Sequence, residues 1–152
     1  MAKNREPIYS LDGMVSSDGT STTSSVMAPT FTTAAADYTG ATATHNKVVF
    51  TADATEGGFI KSLRFKAIGT NTASVARIFI SNGGGNTTAA NNSFFGELAL
   101  PATTAIATTS TIDLDFNFPD NGIALPAGFQ IVVGLGTTVA AGWVVTPIGG
   151  KY

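Results

Sequence analysis

A chain of 152 residues, 43% of them hydrophobic and ten of them Phe, has the length of one domain and the apolar content to close a core. Only 12% of residues are charged, about half the usual share, while Gly, Thr, Ala and Ser abound, which excludes a bundle of helices with Glu- and Lys-lined outer faces. Eight basic against ten acidic residues leave a net charge of -2, too balanced for wrapping nucleic acid; the absence of Cys removes disulfides, thiol nucleophiles and thiolate metal sites, and a single His removes imidazole clusters.

The start carries Lys3, Arg5, Glu6 and Pro7 with no apolar run behind it, so no secretory signal is expected. From 16 to 44 the chain is dominated by Ser, Thr, Ala and Gly, and Val26, Met27, Phe31 and Tyr38 are too scattered to define a periodic face. Such a stretch buries too little apolar area to offset its ordering entropy, roughly 1 to 2 kcal/mol per residue. Residues 1–46 are therefore expected to form an extended arm, either a mobile tail or, the preferred reading, an arm laid on another surface with Ile8, Tyr9, Leu11, Phe31 and Tyr38 as anchors.

The pattern changes at Lys47 to short β-rich runs separated by turn residues, which predicts a sandwich domain over 47–152. The first strand is 47–51. In 59–67, Phe59, Leu63, Phe65 and Ala67 fall on one face and Ser62, Arg64 and Lys66 on the other. In 74–80 both faces are largely apolar, as a central strand requires. After a loop through Gly83, Gly84 and Gly85, strand 93–100 aligns Phe94, Leu98 and Leu100. Strand 111–118 alternates most cleanly, with Ile112, Leu114, Phe116 and Phe118 against Asp113, Asp115 and Asn117. A turn at 119–122 precedes 123–125, and Phe129, Ile131, Val133 and Leu135 then share a face. Residues 142–148, with Trp143 and Val145 paired, close the set. The stretch 121–150 is uncharged, but its Pro and Gly residues divide it into strands and not a membrane span. The fold expected is all-β, a two-layer antiparallel β-sandwich with jelly-roll-like connections between sheets and an N-terminal arm.

Catalytic and metal chemistry finds little support. Asp113 and Asp115 alternate as in the start of a calcium loop, but Phe118 and Ala124 stand where a turn Gly and a bidentate Glu are needed. His45 has no second His or Cys beside it, and no Gly-x-Ser-x-Gly elbow occurs. The glycine run lacks the Lys-Ser/Thr of a phosphate loop. Pairs of carboxylates among Glu56, Glu97, Asp113, Asp115 and Asp120 single out no glycosidase site. Four of the basic residues, Lys61, Arg64, Lys66 and Arg77, fall in two neighbouring strands; Arg64 and Lys66 share a face, which is read equally as a docking surface for an acidic partner or as a solvated face.

The charged start Asn4-Arg5-Glu6-Pro7-Ile8-Tyr9, the Ser/Thr/Ala-rich arm and Gly69-Thr70-Asn71 ahead of Val75-Ala76-Arg77-Ile78-Phe79-Ile80 belong to one pattern with the corner Leu125-Pro126-Ala127-Gly128 and the end Ala141-Gly142-Trp143 through Gly149-Gly150-Lys151-Tyr152. Together they resemble the small virion structural proteins of tailed bacteriophages, in particular head decoration or cement proteins. The resemblance implies a non-enzymatic protein without cofactor, made in the bacterial host cytoplasm and bound to the outer surface of the capsid. Its implied partners are the major capsid protein and further copies of itself, as a trimer or else a dimer, with no nucleic acid and no membrane. It would clamp neighbouring capsid subunits against internal DNA pressure, many identical copies adding modest contacts. The competing reading is a receptor- or carbohydrate-binding module of a tail fibre or adhesin. Against it, Trp143 falls within a strand, and Tyr9, Tyr38 and Tyr152 lie near the termini and do not crowd one set of loops. A tail-tube subunit would need longer hairpins.

Overall fold

The computed structural model describes residues 30–152 except 36, 43 and 44, together with the backbone of 16–17 and 25–26. Its strands are β1 (Ser16–Ser17), β2 (Ser25–Val26), β3 (Thr30–Phe31), β4 (Lys47–Thr51), β5 (Gly58–Ala67), β6 (Ser74–Ser81), β7 (Asn92–Leu100), β8 (Asp113–Asn117), β9 (Ile123–Leu125), β10 (Gln130–Leu135) and β11 (Trp143–Lys151). β1 and β2 pair with each other. The others form two antiparallel sheets packed face to face, one ordered β4-β10-β6-β7 and one β3-β11-β5-β8, with β9 also on β5. With β8 and β9 counted as one interrupted strand, chain order reads second, seventh, fourth, fifth across the first sheet and first, eighth, third, sixth across the second. This is the strand order of a jelly roll. Every connection but the one from β6 to β7 crosses between sheets, which explains why the loops exceed hairpin length.

The core between the sheets is built from Phe31, Val49, Phe50, Ile60, Leu63, Phe65, Ile78, Leu100, Ile131, Val133, Leu135, Trp143 and Val145, all 0–1% exposed. Burial of this kind contributes about 1.5 to 3 kcal/mol per large aliphatic or aromatic side chain. Three bulges shift the alternation expected from sequence. In β5, Lys61 is an extra residue between the pairs Ser62–Ile148 and Ile60–Gly149, so Ile60 and not Phe59 joins Leu63 and Phe65 inside. In β7, Phe95 is extra between the pairs Gly96–Ile78 and Phe94–Phe79; it packs on the core with Leu98, while Phe94 turns outward. Val49 plays the same part in β4. Strand β8 lies at a sheet edge, so its apolar side chains sink gradually, from Ile112, 41% exposed, through half-buried Leu114 and Phe116 to Phe118 at 3%.

The sandwich also begins earlier than the composition change at Lys47. Phe31 pairs with Trp143 across β3 and β11, and its ring is enclosed in the core, with the Lys47 ammonium 5.7 Å from its centroid. A two-residue strand is too short to show a period, which hides it in the Ser/Thr/Ala-rich sequence. The turn at 119–122 does not reverse the chain: β8 and β9 run in the same sense along β5, and the residues between them step outward around the Lys61 bulge, where the Phe118 N–H donates to the Lys61 carbonyl at 3.0 Å. Asp120, Asn121 and Gly122 take positive φ there, and a Cβ at Gly122 would meet the Phe59 ring and the Ile60 carbonyl oxygen.

Candidate interaction surfaces

Between β3 and β4 the chain crosses the outer face of the β4-β10-β6-β7 sheet as a strap. The Ala35 N–H donates to the Leu135 carbonyl at 2.7 Å, and Gly40, at φ +68°, lies directly on the Phe79 ring. Asn46 fills the space over Gly134, leaving no room there for a Cβ. The strap thereby covers a second apolar cluster, Val48, Phe79 and Val132, which is why β6 and β10 are apolar on both faces.

Two polar groups hold it. The Arg77 guanidinium donates to the carbonyls of Ala35 and Asp37 at 3.2 and 3.3 Å, pairs with Glu97 at 3.2 Å, and stacks 4.0 Å from the Tyr38 ring centroid. The Asp37 carboxylate accepts hydrogen bonds from the Thr42 hydroxyl and from the N–H groups of Thr39 and Gly40. The Thr42 hydroxyl above all holds its pKa below the ordinary carboxylate value; burial, the next influence, opposes it, and the Thr39 and Gly40 donors add to the lowering. Arg77 is thus an internal clamp, on the opposite side of the sandwich from Arg64 and Lys66; consecutive strands enter different sheets, so the four basic residues form no single patch.

Of the anchors expected in the arm, Ile8, Tyr9 and Leu11 lie outside the described residues. Phe31 is enclosed in the chain's own core and offers nothing to a partner. Tyr38 is 57% exposed and stands edge-on to Phe94, 42% exposed, with ring centroids 5.3 Å apart. Phe94 in turn leans on Phe79 at 5.5 Å. The pair is a raised aromatic knob whose base is locked by Arg77 and by Asn92, which donates to the Thr39 carbonyl at 3.1 Å. Sequence reasoning names Tyr38 as an anchor of the arm but does not single out Phe94, because nothing marks the Phe95 bulge.

On the opposite outer face, Arg64 and Lys66 of β5 meet Asp113 and Asp115 of β8. Arg64 lies 2.5 Å from Asp113 and 3.8 Å from Asp115, and Lys66 is 3.8 Å from Asp113. Lys66 also donates to the Thr111 carbonyl at 2.6 Å. The two pairs of like charge seen in sequence are one cross-strand ladder, in which each cation already faces a carboxylate of the neighbouring strand. All four side chains are 41–53% exposed, and such pairs contribute little stability.

At the end of the sandwich where β5 stops and β11 starts, Asn71 ties three loops together. Its Nδ2 donates to the carbonyls of Gly69 and Gly142 and to the Thr103 hydroxyl, at 3.3, 3.1 and 3.1 Å, and its Oδ1 accepts from the N–H groups of Ala141 and Gly142 at 3.0 and 2.7 Å. Asn71 is 3% exposed with its amide fully bonded. Nothing in the sequence marks it as a staple. At the other end, Asp53 caps a tight turn by accepting from Thr55 and Glu56 N–H at 2.8 and 2.9 Å, and those donors, Glu56 first, lower its pKa.

Comparison with protein-family models, with curated proteins and with solved structures gives no match. Among the described residues, no three His, Asp or Glu side chains converge as metal ligands, and no helix is long and apolar enough to cross a membrane. What the geometry does offer is contact surface: an aromatic knob on one face, a neutralised ion ladder on the other, and a cross-linked set of loops at one end.

Proposed function

We propose that the chain is a non-enzymatic structural protein of a tailed-bacteriophage virion that binds the outer surface of the assembled head and stabilises it, touching the major capsid protein and neighbouring copies of itself. The observation that carries this reading is the Tyr38–Phe94 knob. Exposed aromatics at the centre of an interface dominate binding when they enter pockets on a partner. Here the rings are already fixed by Arg77, Asn92 and Phe79, so docking them loses little rotamer entropy. The jelly roll itself is a fold that viral capsid proteins use, although lectin domains use it too. Against a sugar site, the Arg77 guanidinium stacks on Tyr38 and Phe94 packs against it edge-on, so the ring is not a free platform. Residues ahead of Thr30 extend the attachment in this reading, with Ile8, Tyr9 and Leu11 as further anchors.

The test is co-sedimentation of the full-length protein with empty expanded capsids and, separately, with unassembled capsid subunits. The wild type is retained by capsids and not by subunits. Tyr38→Ser with Phe94→Ser lowers retention by about 2 kcal/mol, roughly thirtyfold in affinity, and deletion of residues 1–29 weakens it as well. Capsid retention untouched by both changes, or binding of a glycan abolished by the Tyr38/Phe94 change, refutes the assignment.

A further inference from the structure

The chain contains two Asn-Gly pairs, Asn82–Gly83 and Asn121–Gly122, and in both the Asn is exposed. At such a pair the main-chain nitrogen of the glycine, with no Cβ beside it, can reach the side-chain amide carbon of the asparagine. The structure arranges the two pairs differently. Asn82 opens the loop between β6 and β7, where its Oδ1 accepts the Gly84 N–H at 2.9 Å and its Nδ2 donates to the Asn91 Oδ1 at 3.3 Å. The Gly83 N–H is held only loosely, by the Ser81 hydroxyl at 3.4 Å. The Gly122 N–H, by contrast, is committed to the Pro119 carbonyl at 2.9 Å, and Gly122 is wedged against the Phe59 ring and the Ile60 carbonyl oxygen.

We infer that Asn82 is a site of spontaneous deamidation and that the fold protects Asn121 from the same reaction. The Gly83 nitrogen gives its proton to solvent base and attacks the Asn82 Cγ; a C–N bond forms, the Cγ–Nδ2 bond breaks, and the amide nitrogen takes a proton from water and leaves as ammonia. Water then opens the succinimide at either carbonyl, giving aspartate or isoaspartate, so that overall one water is consumed and one ammonia released. Negative charge develops on Asn82 Oδ1 during the attack, and the Gly84 N–H already stands at the distance of an oxyanion donor. The loose bond of the Gly83 nitrogen is readily given up, whereas the Gly122 nitrogen must first surrender a full hydrogen bond, which slows it roughly two- to tenfold. Gly83 and Gly84 are exposed, so water reaches the ring. The conversion exchanges the donor that faces Asn91 Oδ1 for a carboxylate. In the isoaspartate form it also lengthens the main chain beside the Ser81–Asn92 pair, from which Asn92 holds the Thr39 carbonyl of the strap. The reaction needs only the chain and water and is independent of the capsid reading.

Incubation of the full-length protein in neutral buffer, with peptide mapping by mass spectrometry at intervals, tests the inference, alongside the same chain in urea. In the folded protein Asn82 converts to aspartate and isoaspartate at least about fivefold faster than Asn121. In urea, where Gly122 is released from Pro119, the two rates converge. Hydroxylamine, which cleaves a chain at a succinimide, releases a fragment ending at residue 82 from the folded protein. A Cβ at Gly83 would meet the Gly128 carbonyl, so the glycine stays in place and the variant is Asn82→Ser, which removes the fast conversion and leaves the slow one at Asn121 unchanged. Equal rates at the two sites in the folded protein, a difference that survives unaltered in urea, or a fast conversion that persists in Asn82→Ser overturns it.

Discussion

Replacing Phe31 by Ala asks whether the domain owns this residue or holds it out to a partner. The ring is 1% exposed, packed in the main core opposite Trp143. Removing an enclosed Phe destabilises by about 3 to 5 kcal/mol, the value depending on how far the site collapses. The Lys47 ammonium over the ring adds about 0.5 to 1 kcal/mol at a partly exposed site, whereas the two-residue edge strand that carries Phe31 can shift to close part of the cavity. The expected loss is therefore about 3 to 4 kcal/mol, which lowers the melting temperature of a domain this size by roughly 10 to 15 °C. Calorimetry on the purified full-length chain measures it directly. A companion pair of truncations sharpens the result: removing residues 1–29 leaves the transition in place, whereas removing 1–46 takes β3 and the strap and abolishes it. A Phe31→Ala loss below about 1 kcal/mol, or a cooperative transition surviving the longer truncation, refutes the placement of Phe31 in the core.

Asn71→Ala leaves the Ala141 and Gly142 N–H groups and the Gly142 carbonyl without their buried partner and should cost about 2 to 4 kcal/mol, read as a lower urea midpoint at unchanged slope. Arg64→Ala should change stability by less than about 1 kcal/mol, since its partners Asp113 and Asp115 are well exposed; a larger drop in the same urea titration means the ladder is structural. The Asp37 pKa is depressed in the folded state, so the stability its ionised form gives is present above the ordinary carboxylate value and disappears as pH falls below about 4 through the folded value. Asp37→Asn should therefore flatten the fall in melting temperature between about pH 5 and pH 3, and an unchanged acid slope contradicts the strap's dependence on that carboxylate.

Strand positions and the sandwich class are legible because single-face burial writes a period of two into the sequence, as in Phe129, Ile131, Val133 and Leu135, which the structure aligns on the core. The period fails where a bulge inserts one residue. Phe59 and Phe94 are placed inside by alternation and lie on the other side once Lys61 and Phe95 are inserted, and neither bulge has a side-chain signature. At the interaction surfaces the same limit recurs. That Arg64 and Lys66 share a face follows from their spacing, but Asp113 is 49 residues away in sequence, so the pairing waits on the strand order. Phe31 and Asn71 draw their roles wholly from distant partners, Trp143 for one and Thr103 and Gly142 for the other.

The pairing of β3 with β11 joins the first strand of the sandwich to the last. During synthesis Phe31 is made early and has no sheet to enter until Trp143 has left the ribosome, and the strap has nothing to lie on until β6 and β10 have met. Folding must therefore wait until β11 has emerged, through contacts of high sequence separation, and refolding belongs in the millisecond to second range of β-sandwiches and not the microsecond range of local folds. Losing the C-terminal strand unzips the N-terminal one with it. A nascent or truncated chain exposes the Phe79 face and the Phe31 ring together, a vulnerability that ends in a single closing step.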